Sequence, residues 1–151
     1  MTDSADARRR QLDLHAEAEL TFDLAAVMAT VDDEPEYEWQ PAGLGLRGRA
    51  ACERMYAAFL PRWKDLAATA DLRFEVRTEF WNDLGRIREQ VAYVTNTDGG
   101  TDRYDFIVVV LFGRNGVLGE RTYSSEAFAR LTLGDYYDEL RPIPEPTPRS
   151  Q

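Results

Sequence analysis

The chain has 151 residues, 44% of them hydrophobic, and a formal net charge of -9 from 18 basic and 27 acidic side chains. One domain of this size can bury a genuine core, and the apolar share excludes a disordered chain. The charge balance excludes a nucleic-acid partner, because gripping a phosphate backbone needs clustered Lys and Arg; Arg8-Arg9-Arg10, the local exception, reads as a solvated helix start.

Residues 1–7 are polar and acidic and carry no apolar signal region. From there the spacing predicts a first helix over 5–21, with Leu12, His15, Glu19 and Phe22 on one face. Asp23 reads as the cap of a short second helix carrying Leu24, Val27, Met28 and Val31, which Pro35 closes. Residues 36–40 alternate as a short strand, and Pro41-Ala42-Gly43 with Gly45 reads as a loop. A third helix begins near Gly48, with Cys52, Tyr56 and Phe59 as its inward stripe, and Pro61 is expected to stop or kink it.

Cys52 is the only cysteine, so no disulfide closes within the chain and a reducing compartment is expected. It is also expected to be buried and inert. Four strands follow, over 72–81, 86–97, 103–112 and 117–124, separated by Asn82-Asp83-Leu84-Gly85, Asp98-Gly99-Gly100 and Arg114-Asn115-Gly116. The run 106–112 is apolar on both faces and needs cover on both; it is too short to cross a membrane as a helix. Helices first and antiparallel strands later argue an α+β domain over 1–140. Residues 141–151 carry four prolines and read as a tail that folding can spare. A cytoplasmic protein without a membrane partner is expected.

This order, with particular residues in it, resembles the NTF2-like superfamily and its SnoaL-like and ketosteroid-isomerase-like group. The carriers are His15-x-x-x-Glu19-x-x-x-Asp23-Leu24, Ala26-Val27-Met28-Ala29-Thr30, Tyr37-Glu38, Pro41-x-Gly43, Gly48-Arg49-Ala50-Ala51 with Met55-Tyr56, and Glu120-Arg121-x-Tyr123. Together they span roughly Gln11 to Leu131. The resemblance implies a cone: three N-terminal helices packed on a curved, mostly antiparallel sheet around a pocket for a small apolar or aromatic molecule. It also implies a homodimer paired through the sheet.

Three residues emerge as a candidate catalytic set. His15 is the only histidine, the side chain that titrates near neutrality unaided. By resemblance it looks into the pocket, where it could donate to a substrate carbonyl. Tyr56 is expected to hydrogen-bond the His15 ring and fix its tautomer. Glu120 shares a strand face with Thr122 and Ser124; if that face is the pocket, desolvation would tune its carboxyl toward acid/base work. Each residue also has a plain structural reading: a satisfied core histidine, a core aromatic, and a strand glutamate paired with Arg86, Arg88 or Arg103. Trp39, Phe59, Trp63, Tyr104, Phe106 and Ser124 are the candidate ligand-binding residues. One histidine and one cysteine suggest no metal, and no cofactor motif stands out.

The known chemistries of the group do not carry over whole. The isomerases' aspartate base falls at Trp39 or Gln40 and their acid at Val108; the cyclases' last-strand aspartate falls at Ser125. The epoxide hydrolases' carboxylates fall at Gln90, two residues after Arg88, and at Thr122. An enzyme of isomerase or cyclase type, moving a proton on an apolar carbonyl compound, remains one reading. A non-catalytic metabolite binder and a dimerising module are the others.

Overall fold

The computed structural model describes residues 2–69 and 71–144. Helix α1 (Thr2–Leu20) turns Leu12, His15 and Ala18 inward at three-residue spacing. Helix α2 (Leu24–Met28) is short, but both ends are satisfied. The Asp23 carboxylate accepts from the Ala25 and Ala26 amides, and the Arg49 guanidinium donates to the carbonyls of Met28, Val31 and Asp32.

Strand β1 (Glu36–Gln40) turns at Gly43, whose φ is +66°, into β2 (Leu44–Arg47). Sequence reading left β2 inside a loop, because its four residues hold too short a pattern to register. Helix α3 (Arg49–Thr69) runs through Pro61. Pro61 and Ala57, whose carbonyl loses its donor, both lie on the exposed side, where water can take the donor's place. On the other side Tyr56 and Leu60 are buried before the proline and Trp63 packs after it. Packing therefore carries the helix past the break the proline was expected to make.

Strands β3 (Asp71–Asn82), β4 (Gly85–Thr95), β5 (Thr101–Phe112) and β6 (Val117–Tyr123) form the meander read from the sequence. The seven-stranded sheet has the order β3-β4-β5-β6-β1-β2-β7 and is antiparallel except between β1 and β6. Asp32 ties the β5–β6 turn to the end of α2: its carboxylate accepts from the Asn115 amide at 2.9 Å, which holds its pKa below the usual value.

After β6 come two elements absent from the sequence reading. Helix α4 (Glu126–Leu133) is capped by the Ser125 hydroxyl, and a 3₁₀ turn (Gly134–Glu139) buries Tyr136 and Tyr137. The tail reading also needs correction at its start. Strand β7 (Arg141–Pro142) pairs with Leu44 and Gly45, and the Ile143 amide donates to the Gly43 carbonyl at 2.9 Å. An edge strand tolerates proline because one row of its backbone groups needs no partner. Residues 145–151 of that tail lie outside the described residues.

The architecture is α+β, with helices over the concave face of an open, mostly antiparallel sheet. One core cluster, around Tyr37, Cys52, Met55 and Tyr56, fills the space between α3 and β1; another joins Leu12 of α1 and Phe128 of α4 to Phe106, Val108 and Val110 of β5. Cys52 is fully buried, and burial pushes its thiol up to about 12. Among the described residues no helix is long and apolar enough to cross a membrane.

Candidate active site

Strand register sets out the site in rows. Glu120 of β6 stands beside Val110 of β5, which stands beside Arg86 of β4 and then Trp81 of β3. The next row is Thr122, Val108, Arg88 and Glu79, and Phe106 and Gln90 pair in the row beyond. Alternation puts all of these on the concave face. Above them lies a cavity of about 270 Å³. Its polar end carries Glu19, Tyr56, Arg86 and Glu120; its apolar end carries Phe59, Trp63, Phe74 and Phe106.

Behind the polar end sits a buried network. His15 Nδ1 is 2.7 Å from Thr30 Oγ1, and that hydroxyl donates to the Val27 carbonyl at 2.6 Å. With its proton spent, Thr30 can only accept, so Nδ1 carries a hydrogen. The Tyr56 hydroxyl lies 3.1 Å from His15 Nε2, 3.0 Å from Glu19 Oε1 and 3.1 Å from the Tyr37 hydroxyl.

Two proton arrangements satisfy every contact. In one, His15 is a cation donating to Tyr56 and Glu19 is a carboxylate accepting from it. In the other, His15 is neutral and accepts from Tyr56, which accepts from a protonated Glu19. The two differ only by one proton passed along His15, Tyr56 and Glu19. Burial opposes charge on His15, but its bond to Glu19 and the charges of Glu19 and Glu120 outweigh that and raise its pKa. Burial pushes the Tyr37 and Tyr56 hydroxyls well above their ordinary value, so both stay protonated.

Glu120 faces this network. Burial, reinforced by the charge of Glu19, pushes its carboxyl up to about 7, against the pull of His15 and Arg86. One ligand atom each of His15, Glu19 and Glu120 lies within 4.8 Å of the others. That trio could hold a cation only by displacing Tyr56 from both His15 and Glu19.

The structure brings His15, Tyr56 and Glu120 together, with a change of part for His15. Its ring is 1% exposed, both nitrogens are engaged, and it stands one layer behind the cavity wall. Glu19, on the next turn of α1, occupies the wall instead. His15 is therefore not placed to donate directly to a ligand; its contacts reach the cavity wall through Tyr56 and Glu19. Trp39, Phe59, Trp63, Phe106 and Ser124 line the cavity. Tyr104 does not: its ring packs on Phe128 at 5.2 Å, where α4 covers it. Sequence reasoning missed α4 and so missed that cover. It also passed over Glu19 and Arg86 as site residues, although the i, i+4 pairing of His15 with Glu19 was available as a signal.

No family model matches the chain, and no curated protein matches it. Solved structures do. An NTF2-like protein of unknown function from Cytophaga hutchinsonii is 15% identical, covers 78% of this chain and 99% of its own, and superposes with a TM-score of 0.58. The epoxide hydrolase/cyclase-like enzyme SalBIII, of pyran ring formation in polyether salinomycin, is 14% identical over 81% of this chain and 93% of its own, at 0.57. A ketosteroid isomerase-like protein from Erwinia carotovora atroseptica is 14% identical over 82% and 98%, at 0.50. The chain thus has the NTF2-like fold, as its sequence resemblance implied, and that fold includes ketosteroid isomerase-like and epoxide cyclase-like proteins.

Proposed function

We propose that this protein is an acid/base enzyme that moves a proton on a small, largely apolar carbonyl compound, in the manner of an isomerase or cyclase. The observation that carries this reading is the tuned carboxyl of Glu120, facing a cavity across from a network that stores one proton. A base with a pKa near the working pH is both available and strong enough to be useful. The fold neighbours with cyclase-like and isomerase-like names support the reaction class by analogy.

In this mechanism ionised Glu120 removes a proton from the carbon beside the carbonyl. As negative charge develops on the carbonyl oxygen, the network's one proton moves to it. Cationic His15 gives a proton to Tyr56, Tyr56 gives its own to the Glu19 carboxylate, and Glu19 hands it to the oxygen. An enol thus forms without a free enolate, and His15 is left neutral. Return of the Glu120 proton to a different carbon completes an isomerisation, and His15 recovers a proton as the enol collapses. Tyr56 and Glu19 line the cavity, whereas His15 acts only through them.

The test is exchange of carbon-bound hydrogen for deuterium in D2O across a panel of aryl ketones, followed by NMR. Glu120→Gln is expected to lose at least 100-fold in exchange rate, and His15→Ala less, because Glu19 still faces the ligand. Panel compounds that bind but exchange no faster than in buffer would sink the catalytic reading and leave a binding protein.

A further inference from the structure

Two arginines line the cavity, and their surroundings differ. Arg88 is spoken for: its guanidinium grips the Glu79 carboxylate from Nε at 2.6 Å and from Nη2 at 2.5 Å. Arg86, one row away, is not. Its Nε is buried without a hydrogen-bond partner, and no carboxylate among the described residues lies within ion-pair distance of it. Trp81 supports the guanidinium with its ring centre 5.7 Å from Cζ, but a ring face answers N–H groups far more weakly than a carboxylate does. Glu120 stands in the same row, but Val110 is between them, and two strand spacings are about 10 Å. A partly buried cation with free donors is costly to keep unless something else completes it.

The rest of the cavity says what that partner carries. From the Arg86 row to the Gln90 row is four residues along β4, about 13 Å. At the far end stands an aromatic wall: Phe59 stacks on Trp63 at 5.4 Å, Trp63 lies tilted against Phe74 at 5.6 Å, and Phe74 meets Phe106 edge-on at 6.3 Å. The cavity is therefore polar and mixed in charge at one end, where Arg86 is the cation without an ion-pair partner, and flat and apolar at the other. Its volume of about 270 Å³ is just below the range of about 300–1,000 Å³ for drug-sized ligands, which suits one or two rings. Glu19 and Glu120 line the same cavity and disfavour a dianion such as a phosphate more than a single carboxylate, which one guanidinium can match.

We infer that Arg86 is the recognition point for a ligand carboxylate, and that the cavity takes a compact aryl carboxylic acid with its ring on the Phe59–Phe106 wall. In that pose the carbon chain between ring and carboxylate passes over Val110 and Val108 beside Glu120, where a keto acid would present its enolisable carbon. The inference rests on the cavity being the ligand site of the proposed function, and it names the class of substrate.

The test uses unreactive probes, so it reads binding alone. Titration calorimetry at pH 7.5 compares 2-naphthoate with the neutral isostere 2-naphthamide on the full chain. Wild type is expected to bind the acid at least tenfold more tightly. Arg86→Met is expected to bring the two to parity, and Arg86→Lys to keep part of the preference, while Arg121→Met, outside the cavity, leaves it unchanged. The wild-type comparison stands even if an Arg86 variant fails to fold. Equal binding of acid and amide, no saturable binding of either at millimolar concentration, or an acid preference that survives Arg86→Met would each overturn the assignment. An intact preference without any deuterium exchange would overturn the catalytic reading and spare this one.

Discussion

Tyr56 has one proton and three partners, and that count governs the site. It can donate to only one of His15, Glu19 and Tyr37 at a time, so the others must supply the protons for the remaining contacts. Tyr56→Phe should leave buried His15 and Tyr37, and half-buried Glu19, short of a bond and cost roughly 1–3 kcal/mol, measured by denaturant unfolding; an unchanged midpoint would show the network to be idle. The titration follows from the same contacts. Glu120 and His15 both have folded pKa values above their ordinary ones, so the folded state holds more protons than the unfolded chain. Stability should therefore fall as pH rises, from about 4.5 to about 7 through Glu120 and onward from about 6.5 through His15. Glu120→Gln removes the first part. Its melting temperature should match wild type near pH 5 and exceed it near pH 8, and a difference independent of pH would refute the assignment. The His15–Tyr56 contact was legible in the sequence because both lie on apolar helical stripes. Arg86 was not: alternation groups Arg86, Arg88 and Gln90 on one face, but only the register with Val110 and Glu120 tells which face it is.

At the scale of elements, strong periodicity was easy to read and short patterns were not. The five-residue alternation of β1 and the three hairpins of the meander were visible, since each is bounded by turn residues of defined geometry. Helix α4 was missed although Ser125 and Glu126 begin it in the usual way, because Gly134 and the run Asp135-Tyr136-Tyr137-Asp138 follow too soon for a long pattern to build. The same shortness hid β2 and β7: β2 is a strand because it lies against β1, and β7 because it lies against β2. Their pairing argues against the expectation that folding can spare residue 141 onward. Ending the chain after Leu140 deletes the two paired residues of β7 and the Ile143 amide bond to Gly43. It should cost roughly 1–2 kcal/mol, at about 1 kcal/mol per lost hydrogen bond net of solvent. A calorimetric scan should show the melting temperature lowered by several degrees. A truncated chain that melts with wild type would mean that β7 only rests on the sheet edge.

For the molecule as a whole, the unresolved demand is the outer face of the sheet. The run 106–112, apolar on both faces in sequence, divides as alternation requires: Phe106, Val108 and Val110 are buried under the helices, and Ile107 is 39% exposed on the other side. Around Ile107 the convex face gathers Ile87 of β4, Tyr123 of β6 and, at 64% exposure, Phe80 of β3. Val109 and Leu111 fill the space between them. Separate strands contribute these residues to one continuous patch, which a lone chain would leave to water. We propose that a second copy covers it. A two-fold pairing places the same patch on both sides of the interface, so each Ile107 row meets its own equivalent. The rim favours this partner too, because Arg77, Glu89, Arg103 and Asp105 alternate in sign on the same face and can answer themselves across the axis. Sedimentation at micromolar concentration should give a dimer for wild type and a monomer for Ile107→Glu, whose buried charges would face each other across the axis. Since the patch points away from the cavity, the monomeric variant should still bind naphthoate. A wild-type monomer would refute the pairing, and a variant that stays dimeric would move the interface to another surface.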